Sequence, residues 1–199
     1  MKAYAACYGR GSTVAEAPAE TVLMASLEVG DRILTLRKSG SLAATHVIVN
    51  QHQLRDDQAE LLLLHLSSGS KLAVTPDHAL FVDGALVAAS EAKVGSALST
   101  AANGVAALVM RVEKQLGAVI NPVTDAGTLL ASDAGPPVLA ASHPIWIAPL
   151  LLSSPTTLYA ANAALRFVGD SELNYAIAPS MKRLVAALGW NFRKQEEAT

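Results

Sequence analysis

Cysteine is almost missing from this chain: Cys7 is the only one among 199 residues. A single thiol excludes an internal disulfide framework and a zinc site built from several thiolates. Charged residues make up 16% and aromatic residues 5%, against 51% apolar residues, and the net charge is −2. No run of Lys and Arg is present, so a nucleic-acid-binding surface is not expected. We predict neither a metal site nor a cofactor.

Long apolar runs are also lacking. No segment reaches about 18 uninterrupted apolar residues, so no membrane-spanning helix is predicted. Residues 1–6, MKAYAA, are too few for a signal peptide. The length fits one large domain, alone or with an appendage, and we expect a monomer.

Short β-rich runs between turn residues fill the first part of the chain. They include TVLMASL, DRILTLR, THVIVNQH and the strands of AELLLLHLSSGSKLAVTPDHALFVDGALVAAS. Runs of this length and spacing predict an all-β domain, here over residues 7–148. Residues 23–35 resemble residues 86–100, with Gly30 and Gly95 at matching places. The repeat predicts a pseudo-two-fold β assembly, although chance similarity in an Ala-rich chain is the alternative.

From residue 149 to residue 199 the pattern becomes helical. Ser154 followed by Pro155 is typical of a helix start, and Gly169 is placed to end that helix. A second helical pattern follows, with Pro179 interrupting it and Gly189 placed to stop it. A C-terminal α-helical appendage is therefore predicted.

The stretch VTPDHALFV brings two polar side chains into a loop between apolar strands. Thr75 and His78 are three residues apart across a Pro-containing turn, so both can face one pocket. Together with Cys7 they would supply a thiol nucleophile, a hydroxyl and an imidazole that titrates near neutral pH. The alternative is that His78 is a hydrogen-bonded structural residue.

These residues belong to blocks that resemble the Hint domain of the Hedgehog C-terminal autoprocessing segment. The blocks are CYGRGSTV, LEVGDRIL, LHLSSGSKLAVTPDHALFV, GAVINPVTDAGTLLASDAGPPVLAAS and, more loosely, NYAIAPSMKRLVAALGW. The resemblance implies a Hint fold and self-cleavage between Ala6 and Cys7, with residues 1–6 as a remnant of the covalently linked upstream segment. Cys7 would form a thioester, Thr75 would hydrogen-bond the scissile peptide, and His78 would help the amine to leave. A cholesterol-like sterol would then accept the acyl group in the secretory pathway or endoplasmic reticulum.

The chain departs from the Hedgehog pattern at two positions. His52 stands where the family carries an Asp that acts as general base. Either His52 takes that role, or Asp56 or Asp57 takes it after a local shift, or transfer to a sterol is impaired. The alternative is that His52 is an exposed turn residue. Ser142 stands where the family has a second Cys, and we expect the neighbouring His143 to be structural. We expect His46 to be exposed and His65 to be packed.

Apolar residues of the helical tail are candidates for a sterol-binding or membrane-contacting site, with ordinary packing against the sheet as the alternative. They are Leu158, Tyr159, Leu165, Phe167, Tyr175, Leu184, Leu188 and Trp190. Two other functions stay open: an intein-like domain that hydrolyses or splices, and an inactive β domain that serves as a binding module. Splicing is disfavoured because no His-Asn pair followed by Cys, Ser or Thr closes the domain.

Overall fold

The computed structural model describes residues 7–17, 20–53, 57–100, 105–169, 180, 182–185 and 187. Within them the chain forms a largely β domain followed by helices. The strands are β1 Tyr8–Gly9, β2 Thr13–Ala17, β3 Glu20–Leu23, β4 Arg32–Leu36, β5 Leu42–Gln51, β6 Gln58–Leu66, β7 Lys71–Val74, β8 His78–Val82, β9 Ala85–Ala88, β10 Ala97–Ser99, β11 Ala106–Thr124, β12 Thr128–Ser132 and β13 Val138–Pro144. The helices are α1 Ala148–Ser153 and α2 Pro155–Val168. This arrangement confirms the predicted all-β domain with helices after it.

Strand β11 organises the sheet. Along its 19 residues it pairs antiparallel with β10, β6, β1 and β5 in turn. The two-residue strand β1 lies between β11 and β7, with Tyr8 opposite both Ile120 and Val74. The segment that begins with Cys7 is therefore inserted between two strands of the core.

The leucine run of β6 shows why a continuous apolar stretch forms a strand here. Leu62 and Leu64 belong to the main hydrophobic core, whereas Leu61 packs in a second cluster with Cys7, Ala73 and other small or apolar residues. Successive side chains of a strand point to opposite faces, and both faces of β6 are covered at Leu61 and Leu62. A strand buried on both sides needs no alternation of apolar and polar residues.

The predicted internal repeat is present as two equivalent turns. Gly30 has φ +100° and Gly95 has φ +93°, a region that favours glycine. Their N–H groups donate to the carbonyls of Val47 and Val109, both at 2.8 Å. A short 3₁₀ helix precedes each turn, at Met24–Ser26 and at Ala89–Glu91. The repeat therefore reflects a duplicated β unit.

The first of these 3₁₀ helices corrects the prediction that TVLMASL is a single strand. β3 ends at Leu23, and the chain turns over Met24–Ser26. The Asn50 amide donates to the carbonyls of Met24 at 2.7 Å and Leu27 at 3.1 Å. A side chain from β5 thus satisfies backbone groups that a neighbouring strand would otherwise bind.

Helix α2 has the predicted ends. The Ser154 hydroxyl accepts a hydrogen bond from the Thr157 N–H at 3.3 Å, and Gly169 caps the C-terminus with φ +61°. Farther along, the described residues 180, 182–185 and 187 are helical. The predicted breaks at Pro179 and Gly189 lie outside the described residues. No helix in the described part of the chain is long and apolar enough to cross a membrane.

Candidate active site

Three backbone and side-chain hydrogen bonds bring Cys7, Thr75 and His78 together. The Cys7 N–H donates to Thr75 Oγ1 at 2.9 Å. In return, the Thr75 N–H donates to the Cys7 carbonyl at 2.8 Å, and the His78 N–H donates to the Thr75 carbonyl at 3.0 Å. All three residues are buried. The structure therefore brings these three residues into contact through their backbone groups and the Thr75 hydroxyl.

The strand register explains this meeting. Tyr8 lies opposite Val74 in an antiparallel pair, so the preceding Cys7 lies opposite the following Thr75. β7 ends at Val74 and β8 begins at His78, so only the Thr-Pro-Asp turn separates the two strands. That turn is closed by the hydrogen bond between His78 and Thr75.

The tautomer of His78 follows from its acceptor. His78 Nε2 lies 2.8 Å from the carbonyl oxygen of Ala141. A carbonyl can only accept, so Nε2 carries the proton and Nδ1 keeps its lone pair. Among the described residues, Nδ1 makes no hydrogen bond. His78 therefore has one ring nitrogen available to take up a proton.

Burial keeps this imidazole neutral. It lowers the pKa of His78 to about 4, although the carbonyls of Ala141 and Cys7 act in the opposite direction. The neighbouring His143 lowers the pKa further. At neutral pH the ring is therefore uncharged and can accept a proton, whereas an imidazolium formed there would be more acidic than an exposed one.

The Cys7 side chain lies in apolar surroundings. It is fully buried with Ala59, Leu61, Ala73 and Val119. A charged thiolate is costly in such an environment, so attack by the sulfur requires a base that removes the proton as the reaction proceeds. No cluster of His, Cys, Asp and Glu that could bind a metal ion occurs among the described residues.

His52 occupies a separate, well-defined position. It follows β5 with φ +64° and is 3% exposed, so the alternative of an exposed turn residue is wrong. Its Nδ1 lies 2.9 Å from Asp57 Oδ2, and its carbonyl accepts from Arg10 Nη2 at 2.7 Å. His52 and Asp57, two of the three candidates for the general base, are thus in contact. The third candidate, Asp56, lies outside the described residues.

The structure also shows the surroundings of Ser142 and of the three remaining histidines. The Ser142 hydroxyl accepts from the Thr124 N–H at 3.3 Å and so links β13 to β11 where the Hedgehog pattern has its second Cys. His143 is buried, and burial lowers its pKa to about 4. His46 is half exposed and His65 is mostly buried, as expected.

The candidate residues of the tail divide into two groups. Leu158 lies over Gly127, and Leu165 packs against Ile48, Val49 and Val123 of the sheet, which is the ordinary packing alternative. Exposed side chains are Tyr159 at 77%, Phe167 at 93% and Leu184 at 51%. Tyr175, Leu188 and Trp190 lie outside the described residues.

Sequence reasoning missed one component of the site. The carbonyl of Ala141 fixes the tautomer of His78 from 63 residues away. A backbone acceptor is present at every residue, so no residue type could have marked this one.

Residues 2–142 match the Hint module family. The chain belongs to the Hint family. Similar solved structures include an intein-like bacterial domain from Clostridium thermocellum, with 22% identity, TM-score 0.56 and coverage of 68% of this chain and 97% of that domain. A DnaB intein from Synechocystis sp. has 12% identity, TM-score 0.58 and coverage of 68% and 97%. The gp41-1 intein has 12% identity, TM-score 0.55 and coverage of 68% and 98%.

At these identities the structures establish the fold of this Hint module. They cover about two thirds of the chain and nearly all of each intein. A search of curated proteins finds no match.

Proposed function

We propose that this Hint module is a single-turnover self-cleaving domain. It breaks the Ala6–Cys7 peptide bond by an N–S acyl shift and transfers the upstream segment to the hydroxyl of a sterol-like alcohol. The observation that carries the proposal is the hydrogen-bonded contact of Cys7, Thr75 and His78. This contact supports a site in which a thiol nucleophile, a hydroxyl that binds the scissile peptide and a neutral imidazole act together.

The first step exchanges an amide for a thioester. The sulfur of Cys7 attacks the carbonyl carbon of Ala6, the C–S bond forms, and the C–N bond to Cys7 breaks. The thiol proton moves to the departing amine, so the step needs no other reactant. Dividing a difficult acyl transfer into two easier transfers is the usual benefit of such an intermediate.

Thr75 acts on the peptide that breaks. Its hydroxyl accepts from the Cys7 N–H, which belongs to the scissile amide, while its own N–H holds the Cys7 carbonyl. The two bonds fix the nitrogen end of the amide, so its distance and angle to the sulfur are set before reaction.

His78 carries the proton. The lone pair on Nδ1 receives it from the thiol, and the resulting imidazolium, made acidic by burial, returns it to the amine of Cys7. The Cys7 carbonyl lies close enough to the ring to affect the pKa of His78, which supports a short transfer path.

His52 is suited to the second step. The Asp57 carboxylate accepts from its Nδ1, which fixes the tautomer and makes Nε2 the basic nitrogen of the ring. A carboxylate that holds an imidazole in one tautomer is a recurring device of acyl-transfer sites. The pair would thus replace the single Asp of the Hedgehog pattern.

The helical tail supports an apolar acceptor. Lys182 Nζ lies 3.2 Å from Asp77 Oδ2, so the C-terminal helical residues reach the loop between Thr75 and His78. Tyr159 and Phe167 are exposed on α2 and offer surface for a sterol or for a membrane of the secretory pathway.

The likeness to inteins favours a second candidate function, an intein-like domain in which hydrolysis or splicing resolves the thioester.

A fusion of a reporter protein to the N-terminus of the full chain tests the proposal. Added thiol should release the reporter from Cys7, and cholesterol should give a reporter whose mass includes the sterol. Cys7→Ala should abolish both reactions. Thr75→Val should slow thiol-dependent release about ten-fold, within the range expected for one lost hydrogen bond. Thr75→Ser should restore most of the rate because the hydroxyl is kept.

The variants of His52 separate the two steps. His52→Ala should leave thiol-dependent release unchanged and abolish sterol-dependent release. If both rates stay the same, the role of His52 is wrong. Release by thiol alone would support the intein-like candidate, and a fusion that never cleaves would support an inactive binding module.

A further inference from the structure

The structure assigns to Tyr8 the role of a positioning residue for His78. The Tyr8 hydroxyl and the His78 imidazole donate to the same carbonyl oxygen, that of Ala141, and the two rings pack edge to face. Its effect on cleavage rests on the proposed function. The contact itself is independent of that function.

The contacts are close and fully buried. Tyr8 Oη lies 3.0 Å and His78 Nε2 lies 2.8 Å from the Ala141 oxygen. The ring centroids are 4.3 Å apart at an interplanar angle of 65°. Both side chains are 0% exposed, so no water competes for these groups. The carbonyl has two lone pairs and can serve both donors.

This arrangement fixes the imidazole in space. The bond to Ala141 sets the rotation of the ring in its own plane, and the edge-to-face contact with the Tyr8 ring limits its tilt. Nδ1 is thereby kept away from Ala141, on the side of the ring that the Cys7 backbone carbonyl affects. Because Tyr8 directly follows Cys7, one residue links the strand of the nucleophile to the base and to β13.

The hydroxyl has a further effect that a phenylalanine ring could not supply. A carbonyl that accepts two hydrogen bonds stabilises a charge on either donor less than a carbonyl that accepts one. The Tyr8 O–H dipole also directs its positive end at the oxygen that Nε2 binds. Both effects disfavour the imidazolium and help to keep His78 neutral. Burial raises the pKa of Tyr8 well above its usual value, so the phenol remains a donor throughout the working range of pH.

Tyr8→Phe tests this role by removing one oxygen. In a chain that also carries Cys7→Ala, ¹⁵N-labelled histidine reports the tautomer and titration of His78 without any cleavage. We expect the pKa of His78 to rise. In the reporter fusion, thiol-dependent release at neutral pH should fall about fivefold, the equivalent of one hydrogen bond, and the acid limb of its pH profile should move to higher pH.

Thr35→Val is the matched control. Thr35 is buried on β4, and its hydroxyl lies 2.7 Å from that of Thr128, the residue that pairs with Ala141 across β12 and β13. The variant therefore removes a buried hydroxyl from the same region without removing a donor to the Ala141 carbonyl. It should lower the melting temperature to a similar extent and leave the His78 titration and the pH profile unchanged. If Tyr8→Phe behaves like this control, Tyr8 is only structural and the inference fails.

The two readouts also separate the inference from the proposed function. If the unmodified fusion never cleaves, the proposed function is wrong. The titration of His78 then still decides whether Tyr8 holds the imidazole: a raised pKa in Tyr8→Phe supports the contact, and an unchanged pKa overturns it.

Discussion

Replacing His143 with leucine should remove about half of the acid sensitivity that two buried histidines give to this fold. His143 is 5% exposed, and its Nε2 has no hydrogen-bond partner among the described residues. Leucine has a similar volume and suits an apolar site. The substitution therefore removes a titrating group with little loss of packing.

The magnitude follows from linkage. Burial lowers the pKa of His143 and of His78 to about 4 from the usual value of 6.5. Each folded-state pKa lies below its unfolded value, so the unfolded chain takes up protons first as pH falls. Stability is therefore present above about pH 6.5 and is lost progressively toward pH 4, by about 3 kcal/mol for each histidine. A typical domain has about 5–15 kcal/mol in total, so the effect is large.

Urea unfolding between pH 4.5 and 7 measures this loss, with Cys7→Ala in every chain to prevent cleavage. Near pH 5 the two histidines should together contribute a slope of about 2.5 kcal/mol per pH unit, and His143→Leu should reduce the slope by about 1.3 kcal/mol per pH unit. Thr35→Val, a change at a buried group that does not titrate, should lower stability equally at every pH.

The difference in slope between His143→Leu and the parent chain is decisive, because carboxylates contribute equally to both. A slope that does not change would refute the assignment of acid sensitivity to the buried His143. An increase in slope would contradict the direction of the linkage.

Three further predictions concern the fold and the first chemical step. Gly135→Ala should destabilise the fold by about 2 kcal/mol or more, because the φ of Gly135 is +72° and an added Cβ would lie 2.9 Å from the Ser70 Cα. Gly11→Ala is the control, since a Cβ there meets open space. Equal melting temperatures for the two variants would contradict the clash. Ser154→Ala should lower the free energy of unfolding by about 1 kcal/mol because the α2 cap is lost, as measured by urea unfolding, and Ser154→Asp should restore it. The rate of thiol-dependent release, corrected for ionisation of the added thiol, should stay constant down to about pH 5, since the pKa of His78 is lowered to about 4. A corrected rate that falls to half near pH 6.5 would show that His78 titrates as an exposed residue.

Local patterns in the sequence were sufficient for much of the fold. Turn residues between short apolar runs marked most of the strands, and the paired glycines marked the duplicated β unit. Ser154, Pro155 and Gly169 marked the ends of α2. In each case the cause acts within a few residues: the positive φ that glycine allows, the side chain that caps a helix, or the length of an apolar run that matches one strand.

The motif also selected residues that meet. Thr75 and His78 are close in sequence, and the antiparallel register of β1 with β7 brings Cys7 to Thr75. The departure at His52 was visible as well, although its burial was not. An isolated histidine after a strand carries no local sign of the chain that will cover it.

By itself, the sequence determined the sites of the strands, the ends of α2 and the identity of the three residues in the candidate active site. Only the tertiary structure decided the state of those residues. The Ala141 carbonyl sets the tautomer of His78, Tyr8 reaches that carbonyl across 133 positions, and Asp57 orients His52. The physical reason is that burial and hydrogen bonding depend on which distant backbone and side-chain atoms close around a group, and no local pattern of residues specifies that.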